Sequence, residues 1–182
     1  MAATAHLLTV EEFMGLPEDP GVRQELYHGE LITMPPAKWK HFSIQRRLRM
    51  LLEPLAEAGS VVDKEMGYRP LPEHEVWIAD VAYLCASRTL EVDPNGNVQG
   101  APELVIEVLS PSNRAAEMYD KEQICLANGA KEFWVVDPKR RNVRVAVQDG
   151  RTATYLIGDR IPLSVLGSEA LLSVEAVFSS LD

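Results

Sequence analysis

Pro102-Glu103-Leu104-Val105-Ile106-Glu107-Val108-Leu109-Ser110-Pro111-Ser112 is the stretch from which the fold can be read. Its apolar run over residues 103–109 is nearly unbroken, which marks a strand buried on both faces. Ser110-Pro111-Ser112-Asn113 breaks that strand and supplies caps for a helix over residues 113–128, stopped by Gly129. Residues 132–136 read as a further strand, ended by Asp137-Pro138. Strand, helix, strand implies a right-handed crossover and a locally parallel pair.

Upstream, Phe42, Ile44, Leu48, Leu51, Leu52 and Leu55 recur at helical spacing. They predict an amphipathic helix whose other face carries Arg46, Arg47 and Arg49. Gly59 is its expected stop, with Pro54 an earlier breaker. Strands over 61–68 and 76–84 follow, and the turn-rich Asp93-Pro94-Asn95-Gly96-Asn97 leads on to the buried strand. Nearer the start, Thr9-Val10-Glu11-Glu12 is a capping box that opens a short helix ending near Leu16-Pro17. Residues 24–27 and 30–34 read as two short strands joined at His28-Gly29. Downstream, 142–147 and 152–157 alternate as a hairpin around Asp149-Gly150, and Ser173-Val174-Glu175 caps a last short helix. The core order is helix, three strands, helix, strand. The class is α/β or α+β with a mixed sheet, in a single domain spanning 1–182.

Composition sets the outer bounds. The chain has 182 residues, 46% of them apolar and 25% charged, which excludes a disordered chain. It can bury roughly 70% of its unfolded surface without staples. No run of about 18 apolar residues predicts a membrane span. The first residues do not read as a signal peptide, and Cys85 and Cys125 are expected as free thiols in a reducing cytoplasm. Eighteen basic and 27 acidic residues give a net charge of −9, which argues against a chain-wide grip on a polyanion but permits a local basic groove. No Walker loop, Gly-x-Gly-x-x-Gly or Gly-x-Ser-x-Gly occurs, and His6, His28, His41 and His74 lack zinc-ligand spacing.

A few residues resist a bland core reading. Glu107 sits inside Leu-Val-Ile-Glu-Val-Leu, where an ionised carboxylate needs a metal, a lysine or hydrogen-bond donors. The plainer alternative is an exposed strand face or a structural arginine. Asp80 interrupts a second apolar strand, and alternation puts it on one face with Ile78 and Ala82. A strand end or bulge is its plainer explanation. If the strands are neighbours, the two acids can converge, and oxygen-only ligands favour Mg²⁺ or Mn²⁺ over zinc. Lys121 lies roughly 13 Å of helix rise into the following helix, level with Glu107 if that helix folds back. It falls at the edge of the apolar stripe, so it is either a working ammonium or a snorkelling surface lysine. Glu25 and Glu30 flank the hairpin turn as further candidate ligands, and His41 begins the arginine-rich helix. Lys38-Trp39-Lys40-His41 with Arg46 mixes stacking and phosphate-binding chemistry, or is simply a solvated face.

Glu25-Leu26-Tyr27-His28-Gly29-Glu30-Leu31, His41, Asp80-Val81, the 102–112 stretch, Lys121 and Phe133-Trp134-Val135-Val136-Asp137-Pro138 together resemble the Uma2 family, also called DUF820. The resemblance runs from about Leu8 to Val147. It implies the PD-(D/E)XK restriction endonuclease-like superfamily, with an αβββαβ core and N-terminal and C-terminal hairpin additions. It also implies hydrolysis of DNA phosphodiesters. Asp80 and Glu107, with the Val108 carbonyl and Glu25, would hold Mg²⁺ or Mn²⁺. Lys121 would act in place of the motif lysine, because that lysine's usual position is Leu109. Position 79 is Ala where the motif has Pro. His41 and Arg46 are expected to contact substrate. A homodimer is expected if both strands are cut. Two rival readings remain: a non-catalytic scaffold with the same fold, and a metal-dependent hydrolase of a small phosphorylated substrate.

Overall fold

The computed structural model describes residues 6–17, 21–110 and 115–179. Thr9 opens α1 (Val10–Met14). Its hydroxyl accepts the Glu12 N–H at 3.2 Å while the Glu12 carboxylate accepts the Thr9 N–H at 2.9 Å, so the capping box forms. β1 (Arg23–Tyr27) and β2 (Glu30–Met34) make an antiparallel hairpin. His28 and Gly29 turn it with φ of 50° and 76°, the left-handed pair a tight hairpin turn requires.

α2 (Trp39–Leu52) buries Ile44, Gln45, Leu48 and Leu52. Gln45 thus takes a core place, whereas Phe42 and Leu51 are half-buried and Leu55 is exposed. Pro54 tightens the chain into a 3-10 turn at Glu53–Leu55, ending the α-helix well before Gly59.

β3 (Val61–Arg69) and β4 (Trp77–Leu84) pair antiparallel. α3 (Ala86–Thr89) and β5 (Val98–Gln99) are short pieces with no sequence signal strong enough to predict them. All five residues of β6 (Leu104–Val108) are buried, as its apolar run requires. α4 (Ala115–Ala127) leads to β7 (Glu132–Asp137), which runs parallel to β6. The caps read at Ser112 and Asn113 lie outside the described residues. β8 (Asn142–Val147) and β9 (Thr152–Tyr155) extend the same sheet. β10 (Arg160–Pro162) and β11 (Leu171–Ser173) form a separate pair, unpredicted because each is only three residues long. α5 (Val174–Phe178) follows, but the Ser173 hydroxyl makes no capping bond to it.

The seven-stranded sheet has the order β5-β3-β4-β6-β7-β8-β9 and is mixed. Counted as α2, β3, β4, β6, α4, β7, the core is αβββαβ. One face packs Ile44, Leu48, Val81, Ile106 and Trp134 with Phe178 of α5. The other packs Tyr68, Trp77, Ala79, Val105 and Phe133 with Cys125 of α4.

Strict alternation fails at one point. Val81 and Tyr83 join the first core, whereas Trp77 and Ala79, of the same parity, join the second. On the paired strand Val62 and Tyr68 divide the same way. Between them lie Asp80 and Glu65, the latter at φ 56°, which turns the strand over. Asp80 is held from α2 while Ala82 packs in the second core, so the two do not share a face as period-2 counting predicts.

Candidate functional site

β4 pairs with β6 only over Val81–Tyr83, opposite Ile106, Val105 and Leu104. Beyond Val81 the strands part, and β6 continues against β7 alone. The N-terminal hairpin takes the vacated edge: Leu26 and Val76 exchange backbone bonds of 2.8 and 3.0 Å. The Ile78 N–H donates to Glu25 Oε1 at 2.9 Å, and the Ile78 carbonyl accepts from Arg23 Nη2 at 3.4 Å. The Val108 N–H donates to Asp80 Oδ2 at 2.8 Å. Side chains therefore supply the partners that a continuing ladder would have given.

Asp80 is 4% exposed and densely held. Its Oδ1 accepts from Gln45 Nε2 at 2.8 Å and lies 2.9 Å from His41 Nε2 and 3.5 Å from Arg23 Nη1. Burial pushes its carboxyl up, but the His41 ring, the Val108 N–H and the Arg23 guanidinium outweigh burial and hold it below the usual aspartate value.

Glu107 is the opposite case. Burial pushes it well above the ordinary glutamate value; the Lys121 ammonium pulls it down, while the charges of Asp80 and Glu25 raise it again. Its Oε1 is buried with no hydrogen-bond partner. Lys121 is 4% exposed and donates to Glu25 Oε2 at 2.9 Å. Burial disfavours its charge, but Glu107 and Glu25 more than compensate, so the ammonium is kept. Lys121 Nζ also lies 5.4 Å from the centre of the Trp77 ring. The groups at this site nearest to solvent are His41 and Arg23, at 18% and 19% side-chain exposure, so they form its rim.

The Uma2 family model, described as "Putative restriction endonuclease", matches residues 10–180. The chain belongs to the Uma2 family. It is also similar to the crystal structure of a "putative nuclease belonging to DUF820" from Anabaena variabilis. That match has a TM-score of 0.81 at 24% identity and covers 96% of this chain and 99% of the other. No curated protein matches the chain.

In this Uma2 chain Asp80, Glu107, Lys121 and Glu25 gather where β4 and β6 part, and His41 reaches the same place from α2. Val108 enters through its N–H. Both Glu25 oxygens are taken by protein donors, Ile78 N–H and Lys121. Glu30 is exposed on the hairpin, so only one of the two turn glutamates enters. Arg46 is exposed on the outer side of α2, in a concavity with Trp39 and Phe42 rather than at the carboxylates. Gln45 and Arg23 were not read from the sequence. Gln45 leaves a usable signal, a polar residue among Ile44, Leu48 and Leu52; Arg23 leaves none.

Among the described residues, no group of three or more His, Cys, Asp or Glu side chains is arranged to hold a metal ion. A hard divalent ion such as Mg²⁺ needs only one or two carboxylates, its other positions going to water and phosphate. The unpartnered Glu107 oxygen beside a second buried carboxylate fits that modest demand.

A second charged cluster fastens the hairpin to its surroundings. His28 Nδ1 lies 2.7 Å from Glu75 Oε1, and His28 Nε2 lies 2.8 Å from Asp120 Oδ2. The Tyr27 hydroxyl donates to Asp120 at 2.7 Å, and the Trp77 indole N–H donates to Glu75 at 2.8 Å.

Proposed function

We propose that this chain hydrolyses DNA phosphodiester bonds with the help of Mg²⁺ or Mn²⁺. The observation that carries the reading is Glu107: a buried carboxylate with a bare oxygen, next to Asp80 and under the buried ammonium of Lys121. A structural acid in an apolar strand is expected to have its oxygens satisfied.

Asp80 and Glu107, with the Val108 carbonyl, are the residues that would hold the ion; Glu25 is an accessory ligand only if it releases Lys121. When bound, the ion supplies an acidified water and neutralises charge on the scissile phosphate. Lys121 holds its proton and offers a fixed positive charge to the attacking oxygen or the phosphate. Gln45 and the Val108 N–H fix the Asp80 carboxylate, so its orientation costs nothing at the moment of reaction. His41 and Arg23 at the rim guide a phosphate inward. The reaction joins a water oxygen to phosphorus and breaks a phosphorus–sugar oxygen bond, one water proton ending on the leaving oxygen. Cutting both strands calls for two sites, hence a homodimer working in the cytoplasm, where Cys85 and Cys125 stay reduced.

The scaffold reading draws on one observation: Lys121 and Glu25 neutralise each other at 2.9 Å, a closed pair that needs no substrate. Nicking of supercoiled plasmid in Mg²⁺ or in chelator, wild type against Glu107→Gln, decides between them. The expected result is nicking that requires the ion and falls at least about a hundredfold in the variant. A wild type that gains thermal stability with Mn²⁺ yet leaves DNA intact would point to a small phosphorylated substrate. A wild type that does neither is a scaffold.

A further inference from the structure

α2 carries Lys40, Arg46, Arg47 and Arg49 and no acid, in a chain whose net charge is −9. Its outer side is also aromatic. Trp39 is 76% exposed and Met50 52% exposed, although large apolar side chains are normally covered. The two rims a concavity together with Phe42, Ser43, Arg46 and Arg47. The Trp39 and Phe42 rings are 5.8 Å apart at 31°, and Lys64 Nζ sits 4.2 Å from the centre of the Phe42 ring. Arg49 is consumed by Glu53 and Asp63, and Arg47 by the Ala176 carbonyl. Lys38, Lys40 and Arg46 have no acidic partner among the described residues.

An open indole face fringed by uncommitted cations matches one occupant: a polyanion that also presents flat rings. Duplex DNA offers the phosphates but keeps its base faces stacked. We infer that the outer side of α2 binds unpaired nucleic acid, with a base stacked on Trp39 and the flanking phosphates on Arg46 and Lys40. This rests on the nuclease reading in one respect, that the strand bound here is the one delivered to the carboxylates. His41 lies around the same helix, about 10 Å away across its diameter. At about 3.4 Å per nucleotide that is a span of about three nucleotides.

The structure provides its own probe. Trp77 and Trp134 are fully buried, their indole N–H groups bonded to Glu75 and Glu132, so Trp39 is the tryptophan that solvent and ligand reach. The experiment titrates the full chain, in chelator, with oligothymidine of about ten nucleotides and with a duplex of equal length. Tryptophan quenching and the anisotropy of the labelled oligonucleotide are read together. Single strands should quench Trp39 and bind at least about tenfold tighter than duplex, and Trp39→Ala should lose about tenfold or more of that affinity. Trp39→Phe should retain part of it, and Arg46→Glu should weaken binding with a shallower salt dependence. Equal binding of duplex, or an unaffected Trp39→Ala that is folded by thermal melt, would overturn the inference. So would failure to bind any oligonucleotide together with a self-association in sedimentation that Trp39→Ala abolishes, which would make this face a contact between copies. The titration in chelator measures no cleavage, so Trp39-dependent binding by a protein that fails to nick plasmid in Mg²⁺ would sink the nuclease reading alone. Mg²⁺-dependent nicking by a protein whose single-strand binding is absent or unaffected by Trp39→Ala would sink this inference alone.

Discussion

Replacing Lys121 by Met removes, among the described residues, the one ammonium that faces Glu25 and Glu107, while nearly preserving side-chain length. Lys121 and Glu25 are 5% and 4% exposed at a separation of 2.9 Å, so water cannot screen what is left behind. Breaking a buried pair by removing one partner costs about 3–5 kcal/mol. For a domain of this size about 2–4 °C of melting temperature accompanies each kcal/mol, so the expected loss is about 6–20 °C. The deficit should depend on pH. Lys121 has its proton affinity raised by folding, so its contribution is fully present below the ordinary lysine value of 10.5 and is lost only above it. Glu107, already raised by burial, rises further without Lys121 and penalises folding wherever the unfolded chain would be ionised. The variant's deficit is therefore smallest near the ordinary glutamate value of 4.5 and grows as pH rises toward and past the raised value Glu107 has in the wild type. Melting curves over that range measure it, and adding Glu25→Gln to Lys121→Met should recover about half or more. A loss below about 1 kcal/mol, or one that does not change with pH, would show that the three groups are solvated and would refute the buried-charge argument.

Two further outcomes follow from the hairpin. Burial lowers the His28 value, but the bond to Asp120 and the charges of Glu75 and Asp120 outweigh it, so it is raised overall. Its stabilising effect should be complete below 6.5, the ordinary value, and vanish as pH rises through the raised one. In thermal melts against pH, His28→Asn should flatten that step while keeping the left-handed turn, and an unchanged profile would disprove the assignment. At Gly29 a Cβ would meet Leu7 Cβ at 2.7 Å, whereas at Gly150 it would meet nothing within 4 Å. Gly150→Ala should cost only backbone strain, about 1–2 kcal/mol in urea unfolding, and Gly29→Ala clearly more.

The parts of the fold legible in the sequence were those whose signal is local. β6 announces itself because burial on both faces leaves no polar alternation, and the break after it forces the parallel return to β7. Asp80 and Glu107 stand out for the same reason, each a charge in an apolar strand. What was illegible depends on contacts between distant segments. Nothing near Arg23 indicates that it will meet the Ile78 carbonyl and Asp80, because that meeting exists only once the hairpin docks on β4. The face change at Glu65 and Asp80 is equally hidden, since glutamate carries no preference for positive φ and period-2 counting assumes an uninterrupted strand. His41 and Arg46, both expected to contact substrate, look out on different sides of α2, a division that residue type alone does not reveal.

The early separation of β4 from β6 leaves the tip of β6 fastened to its neighbour by an amide-to-carboxylate latch, Val108 N–H on Asp80 Oδ2. A ladder rung is indifferent to what binds nearby; this latch shares its acceptor with the candidate ligand set. Anything that draws Asp80 toward itself loosens Val108, the immediate neighbour of Glu107. The two acids are thus linked through backbone as well as through charge, and the exchange rate of a single amide hydrogen, that of Val108, is the expected reporter of whether the site is empty or engaged.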